Sequence, residues 1–517
     1  MQTIQHSQQK GTNHSLDELV GIRVMPRLNV AEYHCEPAYR AVCERLIQEK
    51  RVLGFCLFGG RVEEVATLTK RLQQIARDSL QRSLLFSADC EWGLTMRFVG
   101  GTEFPDAMAI ARTGDPSLAT AIAQAIGSEM REVGVNWNFA PVADINSNPG
   151  NPIINVRSFG EQAEIVLPFL VAQIGGYRAA RVASTAKHFP GHGDTSVDSH
   201  RELPTLSLTE QAFHSRELKP FASAIAAGVD AIMLGHISTP QLASALGAVG
   251  ETTQLPATLS RWIAHDLLRQ KMGFTGVSVT DAMEMSAITK HWGDAAASLM
   301  AIKASVDVVL MPLDAEGAIE HILQHVDGLS FKELKQSHAR ITALMNRVAT
   351  GDDGEWQNEH PAHVALAREA ATQALEVRGT LEQFRDVPLV FIVDDRPVAL
   401  ERARTMLPAL RELGLTIQGD VFTPKMMIEH PNAEIQRARG IVVLSRARGF
   451  AGAGTSSVTM TEALRTFREE HAPLEAAMFI GSPYLDRECT IAPNAAVIKT
   501  YSDSHYSIEA LINLISN

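Results

Sequence analysis

The sequence predicts an α/β protein: a TIM-like (β/α)8 barrel followed by a smaller C-terminal α/β sandwich domain. Three observations predict it. Eight short apolar, β-branched runs recur through the first 310 positions, helical periodicity fills most of the gaps between them, and a polar, Gly- and Pro-marked stretch separates them from a second, shorter alternation. Near-continuous apolar strands are what a parallel sheet covered on both faces requires.

The eight candidate strands are Val20–Val24, Leu53–Phe58, Leu84–Ala88, Val135–Ala140, Ala183–Ala186, Ala231–Leu234, Val277–Thr280 and Val306–Met311. Between them, Val62–Ile75, Leu118–Val133, Ala163–Ala180 and Glu210–Ala227 carry apolar residues at helical spacing. Eight such alternations fit a closed barrel. The competing architecture is an open doubly wound sheet, because periodicity counts strands and does not close them.

Gly351 to Pro361 is polar and ends in proline, which marks it as a linker and divides the chain into a barrel over 1–350, a linker and connecting helix over 351–378, and an α/β domain over 379–517. In the last part a helix-like stretch, Ala365–Val377, precedes strand-like Leu389–Val393, Gly440–Leu444, Ala477–Ile480 and Ala496–Lys499. No tandem repeat interrupts the pattern.

Composition narrows the function. The 517 residues carry 47 basic and 59 acidic side chains, a formal charge of −12, which argues against a nucleic-acid partner. No window reaches the roughly 20 apolar residues that span a bilayer, so no membrane partner is expected. Met1 to Ser15 is polar and lacks the layout of a signal peptide. The five cysteines, Cys35, Cys43, Cys56, Cys90 and Cys489, are odd in number and scattered, which fits reduced thiols in a cytoplasm.

One stretch concentrates the chemistry. Lys187-His188-Phe189-Pro190-Gly191-His192-Gly193-Asp194-Thr195-Ser196-Val197-Asp198-Ser199-His200 holds three histidines, two carboxylates and a lysine directly after a strand. Asp198 stands two residues from His200, and on a turn such a pair hydrogen-bonds so that the carboxylate orients the ring and stabilises its charged form, a proton shuttle near neutral pH. The rival is a metal site built from His188, His192, Asp194 and His200, but no metal-binding spacing such as H-E-x-x-H appears.

Other strand ends collect polar groups as well: Asp89 and Glu91, Asp144 and Arg157, His236, and Asp281. In a parallel barrel these ends share one face, so distant residues meet in one pocket. Asp281 closes the apolar strand Gly276–Thr280, where a carboxylate acts as a nucleophile or stabilises a cationic transition state. The bland alternative is a helix cap, and Glu284 competes for the role. Lys187 and Arg157 are either donors to substrate hydroxyls or partners in structural ion pairs. The Gly449–Ser456 loop lacks the P-loop lysine and reads as a flexible loop.

These motifs resemble family 3 glycoside hydrolases, specifically the bacterial β-N-acetylglucosaminidases (β-N-acetylhexosaminidases) of that family. Lys187 to His200 is similar to their K-H-F-P-G-H-G-D-T…D-S-H loop, Gly276 to Met285 to their nucleophile strand, and Asn155 to Gly160 to their R-S-F-G segment. The similarity covers roughly Val20 to Pro312, and Gly481-Ser482-Pro483-Tyr484-Leu485 resembles more loosely the α/β sandwich that many members carry.

The resemblance implies that Asp281 is the nucleophile, His200 the general acid/base and Asp198 its orienting partner, with Asp89, Arg157, Lys187 and His188 binding the terminal sugar. It implies a retaining, exo-acting enzyme on a small carbohydrate, with no cofactor and no metal, and a role in peptidoglycan recycling in the cytoplasm. Where the family commonly has D-x-E-G-G, this chain has Trp92 in the fourth place, which bears on the shape of the sugar pocket. Three alternatives follow: phosphorolysis, since an imidazole base repels a phosphate acceptor less than a carboxylate does; a β-glucosidase of the same family; and a silent sugar-binding protein. The oligomeric state, the aglycone and the work of the C-terminal domain are not written in these motifs.

Overall fold

The structure is a computed structural model that describes residues 14–196, 202–349, 355–358, 360–429, 433–445, 456–470 and 472–516. Among the described residues, fifteen strands run in chain order. In the N-terminal part they are β1 (Val24–Met25), β2 (Arg27–Asn29), β3 (Gly54–Phe58), β4 (Leu85–Ala88), β5 (Trp137–Asn138), β6 (Thr185–Phe189), β7 (Ala231–Leu234), β8 (Val277–Thr280) and β9 (Val309–Leu310).

Every pairing among these nine is parallel. Hydrogen-bonded neighbours run β2–β3–β4–β5 and β6–β7–β8. Single parallel bridges, Trp137 to Ala183 and Val142 to Lys187, carry the pairing from β5 to β6. A bridge from Val279 to Val308 leads on to β9, which pairs with β1. Since β1 and β2 are separated only by Pro26, whose carbonyl accepts from Cys56 N at 2.9 Å, the succession of parallel neighbours returns to where it began.

Side chains sort into two layers. Met25, Cys56, Leu85, Trp137, Met233 and Val279, from six different strands, belong to one buried cluster on the inner side of the strands. A larger cluster lies between the strands and the helices: Phe55, Phe86, Ala186 and Ile232 meet Val65, Leu72, Ile122, Ile126, Leu170 and Ile174. Alternate residues of one strand thus serve opposite faces, both apolar.

The first strand differs from its sequence reading. Leu16–Gly21 is a helix whose N-cap Ser15 accepts from Glu18 N at 3.2 Å, and the strand starts only at Val24. Six residues are too few for helical periodicity to show, and buried Leu19 and Val20 imitate a strand. The other helices fall close to expectation, at Val62–Leu80, Pro116–Glu132, Ala163–Ala179 and Leu218–Ala226.

The C-terminal part holds one six-stranded sheet, formed by β10 (Glu376–Arg378), β11 (Leu389–Val393), β12 (Ile417–Phe422), β13 (Gly440–Ser445), β14 (Leu474–Gly481) and β15 (Ile491–Lys499), in the order β10-β15-β14-β13-β11-β12. All neighbours are parallel except β10, which is antiparallel to β15. Leu389, Phe391 and Val393 of β11 pack into one core, while Val390 and Ile392 pack into another on the opposite face. The connecting helix ends at Gln373, and Glu376–Arg378 joins the sheet edge instead of extending it. The strand β12 escapes sequence reading because Gly419 and Asp420 break its apolar run at the other edge, where one side is wet.

The two parts touch close to the strand ends that carry polar groups. Val156, Met108 and Ala109 pack with Ala374, Tyr484 and Tyr501. Ser482 Oγ donates to Asn155 Oδ1 at 3.0 Å, and Ser502 Oγ to buried Asp106 at 2.6 Å.

Candidate active site

Asp89 and Glu91 follow β4, and Lys187 lies within β6, with β5 between the two strands. Lys187 Nζ stands 2.7 Å from Asp89 Oδ1 and 2.7 Å from Glu91 Oε1. Arg97 donates to the other oxygen of Asp89 at 2.5 Å. Arg157 grips Glu91 with two bonds, Nη2 to Oε1 at 2.8 Å and Nε to Oε2 at 3.0 Å, the fork geometry that makes guanidinium–carboxylate pairs strong. Its Nη1 donates to the carbonyl of Ile153 at 3.1 Å. Three cations thus surround two carboxylates, all mostly buried.

Those cations set the charge state. Burial alone would raise the pKa of Asp89, but Lys187 and Arg97 hold it well below the ordinary carboxylate range. Glu91, likewise opposed by burial, is held at about 2 by Arg157 and Lys187. Both remain acceptors at neutral pH.

Beside this cluster, Asp144 organises the histidine loop. Its Oδ2 lies 2.7 Å from His188 Nδ1, and its Oδ1 accepts from the backbone N–H groups of His188 and His192 at 3.1 and 2.8 Å. Fully buried, it would have a raised pKa, yet His188 and these bonds lower it. Because the carboxylate is ionised, the His188 ring carries its proton on Nδ1 and turns Nε2 away from Asp144. The His188 and His192 rings are 5.8 Å apart, nearly perpendicular, and His192 Nδ1 is 2.7 Å from Thr195 Oγ1. Burial, then His188, pushes His192 down to about 4, while Asp144 and Asp281 pull the other way. Asp281 therefore lies within electrostatic reach of the histidine loop.

Asp281 itself sits just past β8, partly exposed, its Oδ1 accepting from Ala282 N at 2.8 Å and its own N–H donating to Leu234 O at 2.9 Å. The rival carboxylate is engaged elsewhere, since Glu284 Oε1 pairs with Arg27 Nη1 at 3.0 Å. His236 is also occupied, with Nδ1 2.7 Å from Thr258 Oγ1 and Nε2 3.0 Å from Ala282 O.

Fixed donors, ionised acceptors and a strand-end aspartate on one side of a parallel sheet match the sequence motifs. Residues 13–350 match the glycosyl hydrolase family 3 N terminal domain. The chain belongs to glycosyl hydrolase family 3. Beta-hexosaminidase A of Pseudoalteromonas piscicida is 38% identical over 323 residues, which are 59% of this chain and 54% of that protein, so the chain spans about half of that relative's length. A beta-hexosaminidase of Stenotrophomonas maltophilia (strain R551-3) is 33% identical over 317 residues, covering 60% of this chain and 88% of that protein. A solved family 3 beta-N-acetylglucosaminidase from Paenibacillus sp. str. FPU-7 shares the fold with a TM-score of 0.79 and 29% identity, over 98% of this chain and 97% of that one.

In this family 3 chain, Asp89, Arg157 and Lys187 come together, directly or through Glu91, and His188, next to Lys187 in the sequence, is held by Asp144. Asp198 and His200 lie outside the described residues. Sequence reading collects Glu91 and Asp144 among the strand-end polar groups without a role and does not single out Arg97. Glu91 was visible as the second acid of Asp89-x-Glu91, and Asp144 as a strand-end carboxylate, but nothing local marks Arg97 as a partner of Asp89. Trp92 is 2% exposed, packed into the protein, and its carbonyl accepts from Phe104 N at 2.9 Å. Packing explains the loop glycines: a Cβ on Gly193 would meet the Ile145 carbonyl oxygen at 1.6 Å, and Gly191, at φ 129°, abuts Glu217.

Glu217 is the buried carboxylate beneath that loop. One oxygen pairs with Arg216 Nε at 2.6 Å, and Arg216 also reaches Asp194 at 2.5 Å. The other oxygen finds no hydrogen-bond partner among the described residues. Burial pushes Glu217 up to about 7 against the pull of Arg216.

Proposed function

We propose that the chain is a retaining, exo-acting β-N-acetylglucosaminidase, built on a closed (β/α)8 barrel over 1–350 with a linker over 351–378 and an α/β domain over 379–517. The return of parallel pairing to its first strand supports the barrel. The single observation that carries the function is geometric: Asp281 follows β8 of the same parallel β6–β7–β8 sheet whose β6 carries Lys187, bonded to Asp89 and Glu91, and His188, bonded to Asp144. Beta-hexosaminidase relatives support the substrate.

In the first step a carboxylate oxygen of Asp281 attacks the anomeric carbon, the glycosidic C–O bond breaks, and His200, held by Asp198, gives its proton to the leaving oxygen. In the second, water attacks the same carbon, its proton passes to His200, and the bond to Asp281 breaks, so configuration is retained. Asp89, Lys187, Arg157 and His188 hold the hydroxyls of the terminal sugar. The ion pairs that orient Asp89, Lys187 and Arg157 are formed before substrate arrives, so orientation costs little reorganisation. The proposed work lies in the cytoplasm, on peptidoglycan fragments, in keeping with five cysteines that are odd in number and scattered along the sequence.

The test is a chromogenic N-acetylglucosaminide assay with and without phosphate, beside the matching glucoside. The reading expects free N-acetylglucosamine at a rate independent of phosphate and turnover abolished in Asp281→Ala. A sugar 1-phosphate makes the protein a phosphorylase, faster glucoside cleavage makes it a β-glucosidase, and binding without turnover makes it a silent sugar-binding protein.

A further inference from the structure

A second cluster of histidines and carboxylates joins the Pro116–Glu132 helix to the segment that opens the Pro361–Gln373 helix. Glu129, fully buried, sends Oε1 to within 2.8 Å of His363 Nδ1, while its Oε2 accepts from Thr102 N at 2.9 Å. Glu132, nearly one turn on, places its two oxygens 3.1 and 3.0 Å from His360 Nε2. Ligand atoms of Glu129, His360 and His363 all lie within 4.8 Å of one another. The two imidazole centroids are 4.9 Å apart, and the Trp356 ring covers His360 at 5.0 Å.

The spacing explains the convergence. Glu129 and Glu132 stand three apart in the last turn of one helix, and His360, the N-cap of the Pro361–Gln373 helix, stands three before His363 in its first turn. Two separate ion pairs would need one imidazole per carboxylate and no meeting point. Here both pairs are drawn to one place, at least one carboxylate out of solvent, which supplies two negative charges and imidazole nitrogens. That is the donor set of a nitrogen- and oxygen-liganded zinc ion. A carboxylate on the second nitrogen of a ligating histidine is a recurring companion of such sites, and with Glu132 on Nε2, His360 has Nδ1 left to offer.

We propose that Glu129, His360 and His363 bind a divalent transition ion of the zinc class, with Glu132 orienting His360. The ion fastens the connecting segment to the N-terminal part and takes no part in the reaction proposed above. The other such triplet among the described residues, His14, Glu18 and His338, is more exposed and has a looser contact of 3.9 Å. Zinc is therefore counted as a difference between chains.

The full chain, stripped with EDTA and returned to zinc sulfate, is expected to retain one zinc more than the His360→Gln/His363→Gln variant after gel filtration. Zinc is expected to raise its Tm by on the order of 5 °C in a way that variant does not share. A folded double variant that retains as much zinc as the unaltered chain overturns the proposal. Should that variant not fold, histidine modification by diethyl pyrocarbonate, mapped by mass spectrometry on the unaltered chain, decides it. Zinc is expected to protect His360 and His363 about tenfold, and unprotected rings overturn the proposal.

Discussion

His188 Nδ1 lies 2.7 Å from Asp144 Oδ2, and the same carboxylate accepts from the backbone N–H groups of His188 and His192. Asp144 therefore fixes both the ring and the turn that follows it. Asp144→Ala leaves two N–H groups and an imidazole without their acceptor. We expect kcat/KM on an N-acetylglucosaminide to fall about 100-fold, the scale of a misplacement near 1 Å. An unchanged kcat/KM would show that His188 needs no such anchor.

Lys187 is the cation shared by Asp89 and Glu91, at 1% exposure. Lys187→Met keeps the aliphatic stem and removes the charge, leaving two carboxylates in a buried cluster with one cation fewer. Loss of one partner from a buried ionic group costs about 3 kcal/mol or more. Urea denaturation at constant m-value measures this, and a variant as stable as the parent contradicts the network.

Glu217 gives a pH prediction. Its folded pKa of about 7 lies above that of an exposed glutamate, so its burial carries no charge penalty below pH 4.5, and stability is lost as pH rises through 7. Glu217→Gln removes that loss. The variant is expected to gain on the order of 3 kcal/mol on the parent between pH 4.5 and pH 8. Parallel pH–stability curves for the two proteins would refute this.

His192 carries the opposite sign. Held down at about 4 by burial and by His188, it is neutral in the fold, so its contribution is complete above pH 6.5 and lost as pH falls toward 4. Its ring 15N resonances are expected to stay those of a neutral imidazole at pH 5.5, where an exposed histidine is mostly charged. A midpoint near 6.5 would show that the ring is hydrated.

The candidate groups legible in the sequence are those that lie within one short segment. Lys187 and His188 lie in β6, His192 in the loop directly after it, and Asp281 just past an apolar strand. What the chain conceals is pairing between segments. Arg97 meets Asp89 only once the turn after β4 has formed, and Arg157 meets Glu91 across 66 positions. The same holds for the fold. Strongly apolar β7 and β8 stand out, whereas the Leu16–Gly21 helix is too short for its period to register and edge strand β12 has no continuous apolar run. Glu217 reads as an ordinary helical glutamate in the sequence, and the structure shows it as a buried carboxylate against Gly191 of the loop.

The central claim, that Asp281 is the nucleophile, is tested most directly by trapping. Incubation with a fluorinated N-acetylglucosaminide carrying a good leaving group, followed by peptide mass spectrometry, reports which side chain bears the sugar. The account predicts one sugar per chain, attached to Asp281 and absent from Asp281→Ala. A sugar found on another carboxylate, or rapid turnover by Asp281→Ala, would contradict it.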